Sequence, residues 1–121
     1  MTRSLIAGLL LVGFATAALA ADPAAGERVF KSQCQICHSA ARGQNGIGPT
    51  LFDVVGRKSG SVPGFHYTAD HKKLDVTWDT ATLDKYLANP RAMVPDTSMT
   101  YAGLKDATKR ADLIAYLNTL H

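Results

Sequence analysis

Residues 34–38 read Cys34-Gln35-Ile36-Cys37-His38, and this stretch decides how the rest of the chain is read. Two thiols with two residues between them, and an imidazole directly after the second, admit three kinds of chemistry. In the first, the thiols add to the two vinyl groups of one haem, and His38 reaches the iron from the same face. In the second, the pair is a redox dithiol. That chemistry belongs where a strand runs into a helix of a βαβ unit, whereas here a helical pattern precedes the pair and loop sequence follows. In the third, the residues bind zinc. Two Cys and one His leave a structural tetrahedron one ligand short, and there is no second Cys pair or His-x-x-x-His to close it. An incidental pair would leave both the adjacent His38 and the export signal described next unexplained. Haem attachment uses all three side chains.

Upstream of the motif the chain opens as an exported one. Met1-Thr2-Arg3-Ser4 is a basic start, and an apolar run from Leu5 to Ala20 follows, broken only by Gly8, Gly13 and Thr16. The run ends in Ala18-Leu19-Ala20, the small-x-small pattern that a signal peptidase cuts after. It is shorter than the roughly 20 residues of a spanning helix. We therefore expect a cleaved leader over 1–20, a single domain over 21–121, no stable membrane insertion after cleavage, and a periplasmic location. The leader and the motif agree, because covalent haem attachment takes place after export.

Composition narrows the partners. The 121 residues carry 13 Lys and Arg against 10 Asp and Glu, a formal +3 that drops to +2 once Arg3 leaves with the leader. So weak a balance, with no cationic run, gives no nucleic-acid footprint. A charged fraction of 19% with 46% hydrophobic residues argues for a folded domain with a modest core. Two cysteines this close cannot staple a small secreted domain, so the fold needs another source of order. A buried haem fills that role.

Working outward, Asp22-Pro23 is a good helix start, since Asp caps free amides and Pro fits the first turn. Gly26, Val29 and Phe30 then mark one face of about three turns leading into the Cys pair. Residues 39–66 are punctuated by Gly43, Gly46, Gly48, Pro49, Gly56, Gly60, Pro63 and Gly64, which predicts loops and turns. A second helix is expected from Thr77-Trp78, with Leu83, Tyr86 and Leu87 on one face, stopping at Asn89-Pro90. Arg91 to Met99 reads as irregular. A last helix starts near Asp106–Thr108 and places Leu113, Tyr116, Leu117 and Leu120 at i, i+3, i+4 and i+7. The expected fold class is all-α: three main helices plus short helical turns and long loops around one covalent haem c.

His38 supplies one axial ligand and should donate its other ring N–H to a backbone carbonyl. Candidates for the second ligand are Met93, Met99, His66, His71 and His121. Met93, where a helical turn can resume, suits a flexible core filler. Met99 stands in a polar loop with no helical stripe to occupy, which favours it on spacing.

At this point the chain resembles the class I cytochromes c, small electron carriers, and sits nearest their mitochondrial-like branch with the bacterial cytochrome c2 types. The resemblance is carried by Gly26, Phe30 and Cys34-x-x-Cys37-His38; by Gly48-Pro49-Thr50-Leu51; by Gly56-Arg57-Lys58-x-Gly60; and by Pro63-Gly64-Phe65-x-Tyr67-Thr68. It continues through Thr77-Trp78, Tyr86-Leu87-x-Asn89-Pro90, Pro95-x-Thr97-x-Met99-x-Tyr101-Ala102-Gly103 and Asp112 to Leu117. It implies haem c on Cys34 and Cys37, with His38 and Met99 as iron ligands. It further implies that Pro49 offers the carbonyl to His38, and that Arg57, Tyr67, Trp78 and Thr97 face the haem propionates. Tyr86 would place its phenol near the methionine sulfur, and Gly26, Phe30, Leu113 and Tyr116 would form the crossing of the first and last helices. Buried propionates demand such donors, because a carboxylate out of water needs hydrogen bonds.

The chain also departs from that pattern. His71 stands where the family usually has a small polar residue, often Asn, and Tyr101 replaces a common Phe. Ser98, Ala92 and Asp106 occupy positions where mitochondrial members carry Lys, while Arg91 and Lys105 keep their charge. The implied activity is single-electron transfer by a monomer that is not an enzyme. Its expected partners are transient redox proteins (a bc1-type complex, an oxidase or a dehydrogenase), steered by a partial ring of Arg91, Lys105 and Lys31. Two other classes share the same fold and ligation. One is a haem subunit of a dehydrogenase or sulfur-oxidation complex. The other is a haem enzyme or sensor with an open iron site.

Overall fold

Helix α1, Pro23–Gln33, begins as its sequence dictates. Asp22 caps it by accepting from the Ala24 amide at 2.9 Å, with Pro23 in the first turn. These features are seen in a computed structural model that describes residues 8–13 and 20–121. The leader expected over 1–20 lies largely outside the described residues. No helix among them is long and apolar enough to cross a membrane.

The chain continues through α2, Ala69–Lys73; α3, Thr80–Ala88; α4, Pro90–Met93; and α5, Ala107–Leu117. The described residues form no strand, only a single antiparallel bridge between Lys58 and Thr77. The three longer helices and the all-α class match the expectation. Helix α2 and the single turn α4 are the short helical turns expected beside them.

Helices α1 and α5 cross where Gly26 stands. A methyl group there would sit 1.9 Å from the Asp112 carbonyl oxygen and 2.9 Å from Tyr116 Cβ, so only glycine lets the backbones meet. Around that contact the Phe30 and Tyr116 rings pack with centroids 5.4 Å apart. The Asp22 amide donates to Asp112 Oδ1 at 2.8 Å, which pins the start of α1 to α5. The core spreads from this crossing through Phe30, Leu113, Ile114 and Leu117 to Trp78, Leu83, Val54 and Leu104. Arg110 ties α5 to α3: Nε donates to Asp84 and Nη1 to the Leu104 carbonyl, both at 2.9 Å.

Helix α3 starts later than Thr77-Trp78. Thr77 is spent on the bridge to Lys58, and the Trp78 amide donates to the Arg57 carbonyl at 2.8 Å. The helix waits for Asp79, whose Oδ1 accepts from the Thr82 amide at 2.8 Å. A capping side chain outweighs the apolar periodicity that begins before it. From 39 to 68 the chain is held by side chains bonding backbone instead of by ladders. Buried Thr50 donates to the Ala41 carbonyl and accepts from the Phe52 amide; buried Ser59 donates to Leu74 and accepts from Val76.

Candidate functional site

The motif is delivered by the end of α1. The Cys34 and Gln35 amides both return to the Phe30 carbonyl, at 2.8 and 2.9 Å. The Cys37 and His38 amides then both donate to the Cys34 carbonyl, at 3.1 and 3.0 Å. This tight turn sets both thiols and the imidazole on one short segment. The thiols are free, and burial, with Cys37 close by, pushes the Cys34 thiol up to about 11. A redox dithiol needs the opposite shift, toward a thiolate at neutral pH. Among the described residues no three His, Cys, Asp or Glu side chains converge as a metal-ion cluster.

His38 is fixed on two sides. Its Nδ1 lies 2.7 Å from the Pro49 carbonyl oxygen. A carbonyl only accepts, so Nδ1 carries the proton and Nε2 keeps its lone pair for a metal. Gly48 lies flat against the ring: a methyl group there would stand 2.3 Å from Cε1 and 2.8 Å from Nε2. Burial holds the imidazole below its usual range, the Pro49 bond opposes that shift, and the charge of Arg57 adds to it. The ring is therefore neutral, the form that ligates metal.

Both residues that hold the imidazole belong to a loop with its own supports. Asn45 accepts from the Thr50 amide at 3.0 Å and donates to the Pro63 carbonyl at 3.1 Å. The Gly48 amide donates to the Cys37 carbonyl at 2.9 Å. Arg57 braces the far side, its Nη1 donating to the carbonyls of Thr50 and Phe52 at 2.9 and 3.0 Å. Both bonds use one nitrogen, so the other donors of the fork are not spent on them. The supporting roles of Asn45, Gly48 and Thr50 were not read from the sequence. The Gly48-Pro49 pair was the signal available for them.

The aromatic residues gather as a chain of rings. Phe65 meets Tyr67 with centroids 4.8 Å apart, Tyr67 meets His71 at 4.7 Å, His71 meets Trp78 at 6.4 Å, and Trp78 meets Tyr86 at 4.8 Å. The Tyr67 hydroxyl accepts from the Val62 amide at 3.1 Å and so keeps its own proton to donate. Burial pushes the Tyr86 phenol up to about 12, so it stays protonated.

The two candidate methionines differ in surroundings. Met93 packs against the core cluster on α4, as a filler does. Met99 is half-buried outside that cluster, and its amide donates to Thr97 Oγ1 at 3.1 Å. Tyr101, two residues on, donates to Gln33 at the end of α1, which brings the Met99 loop beside the cysteine segment. Gly103 then passes so close to α3 that a methyl group would sit 2.3 Å from the Ala88 carbonyl oxygen; its φ is 110°. Of the cations expected at a docking rim, Lys31 is paired with Glu27 at 2.9 Å and Lys105 donates to the Ala88 carbonyl, while Arg91 is exposed.

These residues suit a haem. Two free thiols and a fixed neutral imidazole share one segment, and half-buried Leu51, Leu74, Leu87 and Tyr86 present apolar surface on the core. A separate groove of about 410 Å³ between α3 and α5, lined by Ala81, Asp84, Ala111 and Ala115, contains none of these residues.

Fold and site together define a small all-α protein built around a covalently held haem. Residues 23–121 match the cytochrome c family. Over 115 residues the chain is 52% identical to a cytochrome c2 of Rhodomicrobium vannielii, covering 94% of this chain and 91% of the relative. It is 44% identical over 99 residues to a cytochrome c2 of Rhodopila globiformis, covering 82% and 93%. To one of Blastochloris viridis it is 43% identical over 117 residues, covering 95% and 91%. The chain belongs to the cytochrome c family, and its cofactor is haem c, attached through Cys34 and Cys37.

Proposed function

We propose that this protein is an exported, periplasmic single-electron carrier, freed of a leader over residues 1–20, working as a monomer and not as an enzyme. When bound, the haem supplies a one-electron couple, and the residues decide its range and access. His38 Nε2 and the Met99 sulfur would ligate its iron. A thioether together with an imidazole as ligands would favour ferrous iron and raise the potential. Arg57, Tyr67, Trp78 and Thr97 would hold the propionates. The protonated Tyr86 phenol would lie near the sulfur.

The observation that carries this reading is the imidazole of His38, neutral and held by the Pro49 carbonyl at 2.7 Å against the Gly48 backbone. A ligand fixed in this way needs little rearrangement when the metal changes charge. The different settings of Met99 and Met93 support the choice of distal sulfur. Access is supported by Ile36, inside the motif, and Ile47, in the loop that follows it, which are 86% and 78% exposed. They provide an apolar contact zone for transient redox partners such as a bc1-type complex, an oxidase or a dehydrogenase. With Lys31 paired to Glu27, steering falls mainly to Arg91 and Lys105, and association should depend only modestly on salt.

The test is spectroscopic. Met99→Ala should lose the far-red sulfur–iron absorption band and the high potential, while Met93→Leu keeps both. The opposite pattern would reject the ligand assignment. Carbon monoxide should react slowly or not at all with the reduced wild type; rapid binding would support the open-site reading instead.

A further inference from the structure

The Met99 loop is tied to α2 by a reciprocal pair of bonds. The Asp70 amide donates to Asp96 Oδ2 at 3.1 Å, and the Asp96 amide donates to Asp70 Oδ2, also at 3.1 Å. The two residues are 26 apart in sequence, and each carboxylate satisfies the other's backbone. Asp70 lies in the first turn of α2, where an amide has no partner within the helix, so Asp96 caps it from another segment. The arrangement is anchored from below: Thr68 caps α2 by accepting from the His71 amide at 3.3 Å. The Thr68 hydroxyl is also the chief influence holding the Asp96 carboxyl below its usual range, so Asp96 stays ionised and a strong acceptor at neutral pH.

The position of the pair gives it a consequence. Asp96 is three residues before Met99, and Tyr101, bonded to Gln33, is two residues after it. The methionine is thus suspended between two tethers, one to α2 and one to α1. Moving the sulfur away requires one of them to open. We propose that Asp70 and Asp96 form a clasp that sets the equilibrium between a closed Met99 loop and an open one, acting as positioning residues for the distal ligand. The proposal rests on the assignment of Met99 made above.

Imidazole added to the ferric haem protein competes with the methionine sulfur, so its apparent affinity reports how often the loop opens. Each clasp bond is one hydrogen bond to a carboxylate, a net contribution corresponding to about a fivefold change in an equilibrium. Asp70→Ala and Asp96→Ala should each raise the imidazole affinity about fivefold. The double variant should raise it about twentyfold. Asp96→Asn retains an accepting oxygen and should stay within about twofold of wild type. Ile114→Val, in the core far along the sequence, should lower global stability yet leave the affinity unmoved. Unchanged affinity in the double variant, or an equal rise in Ile114→Val, overturns the clasp. The same titration carries a Met99→Ala control. If that variant keeps the far-red band, the ligand assignment fails and the clasp's role with it. If it loses the band while the double variant binds imidazole like wild type, the clasp alone fails.

Discussion

The α1–α5 crossing and the loops around the motif are built by opposite means. At the crossing the chain specifies itself: Gly26 admits the backbone of α5, the Phe30 and Tyr116 rings meet, and Leu113 is 1% exposed. Around the motif, few side chains reach full burial. Tyr86, Leu51, Leu74 and Met99 stay half-covered, and polar atoms of Tyr67 and Arg57 are held ready by backbone instead of by each other. The first region is complete within the chain, and the second is shaped for something the chain does not encode. Geometry, however, is one property and stability another. The self-specified region is a small core, and a domain of this size gains little from burial alone.

The largest expected effect tests that separation. A Cys34→Ala, Cys37→Ala chain made without haem should lose most of its helical circular dichroism, because ligation and burial of the cofactor supply order that the crossing cannot. A native helical spectrum would show that the crossing stands unaided. Next in size is Gly26→Val, which forces a branched side chain into the space of the Asp112 carbonyl. The expected cost is about 3 kcal/mol in denaturant unfolding of the holoprotein, with the far-red band intact in the folded fraction. Loss of the band at full folding would mean that the crossing and the loops around the motif are one unit.

The smallest expected effect concerns His71, half-buried between Tyr67 and Trp78. Burial holds its pKa below the ordinary 6.5, with Asp96 opposing the shift. The unfolded chain therefore takes up a proton first as pH falls through about 6.5, and the folded state loses stability from there downward. Unfolding midpoints of His71→Asn should fall less steeply than wild type between about pH 7 and 5. Parallel slopes would show that His71 stays as solvated when folded as when unfolded.

Sequence reading reached the crossing and the motif because both are written in local signals. Asp22 and Asp106 cap helices that then follow a 3.6-residue stripe, and Cys34, Cys37 and His38 are neighbours in the chain. It placed the start of α3 too early because Trp78 is apolar and in phase, while the bond that holds its amide comes from Arg57 in another segment. The tethers of the Met99 loop were invisible for the same reason. Two aspartates 26 residues apart bond each other's amides, and nothing in either residue announces the partner. Nothing in Arg57 itself signals that its guanidinium holds two carbonyls of the loop that carries Pro49. Contacts through backbone carry no residue code.

The Gly48 backbone pressed against His38 has a consequence for magnetic resonance. With one edge of the ring bonded to Pro49 and a peptide plane against its face, the imidazole plane has a single azimuth. The ferric protein should then show one fixed set of magnetic axes and a single family of sharp, hyperfine-shifted methyl lines. A Gly48→Ala variant, which must push the ring aside, would broaden or double them.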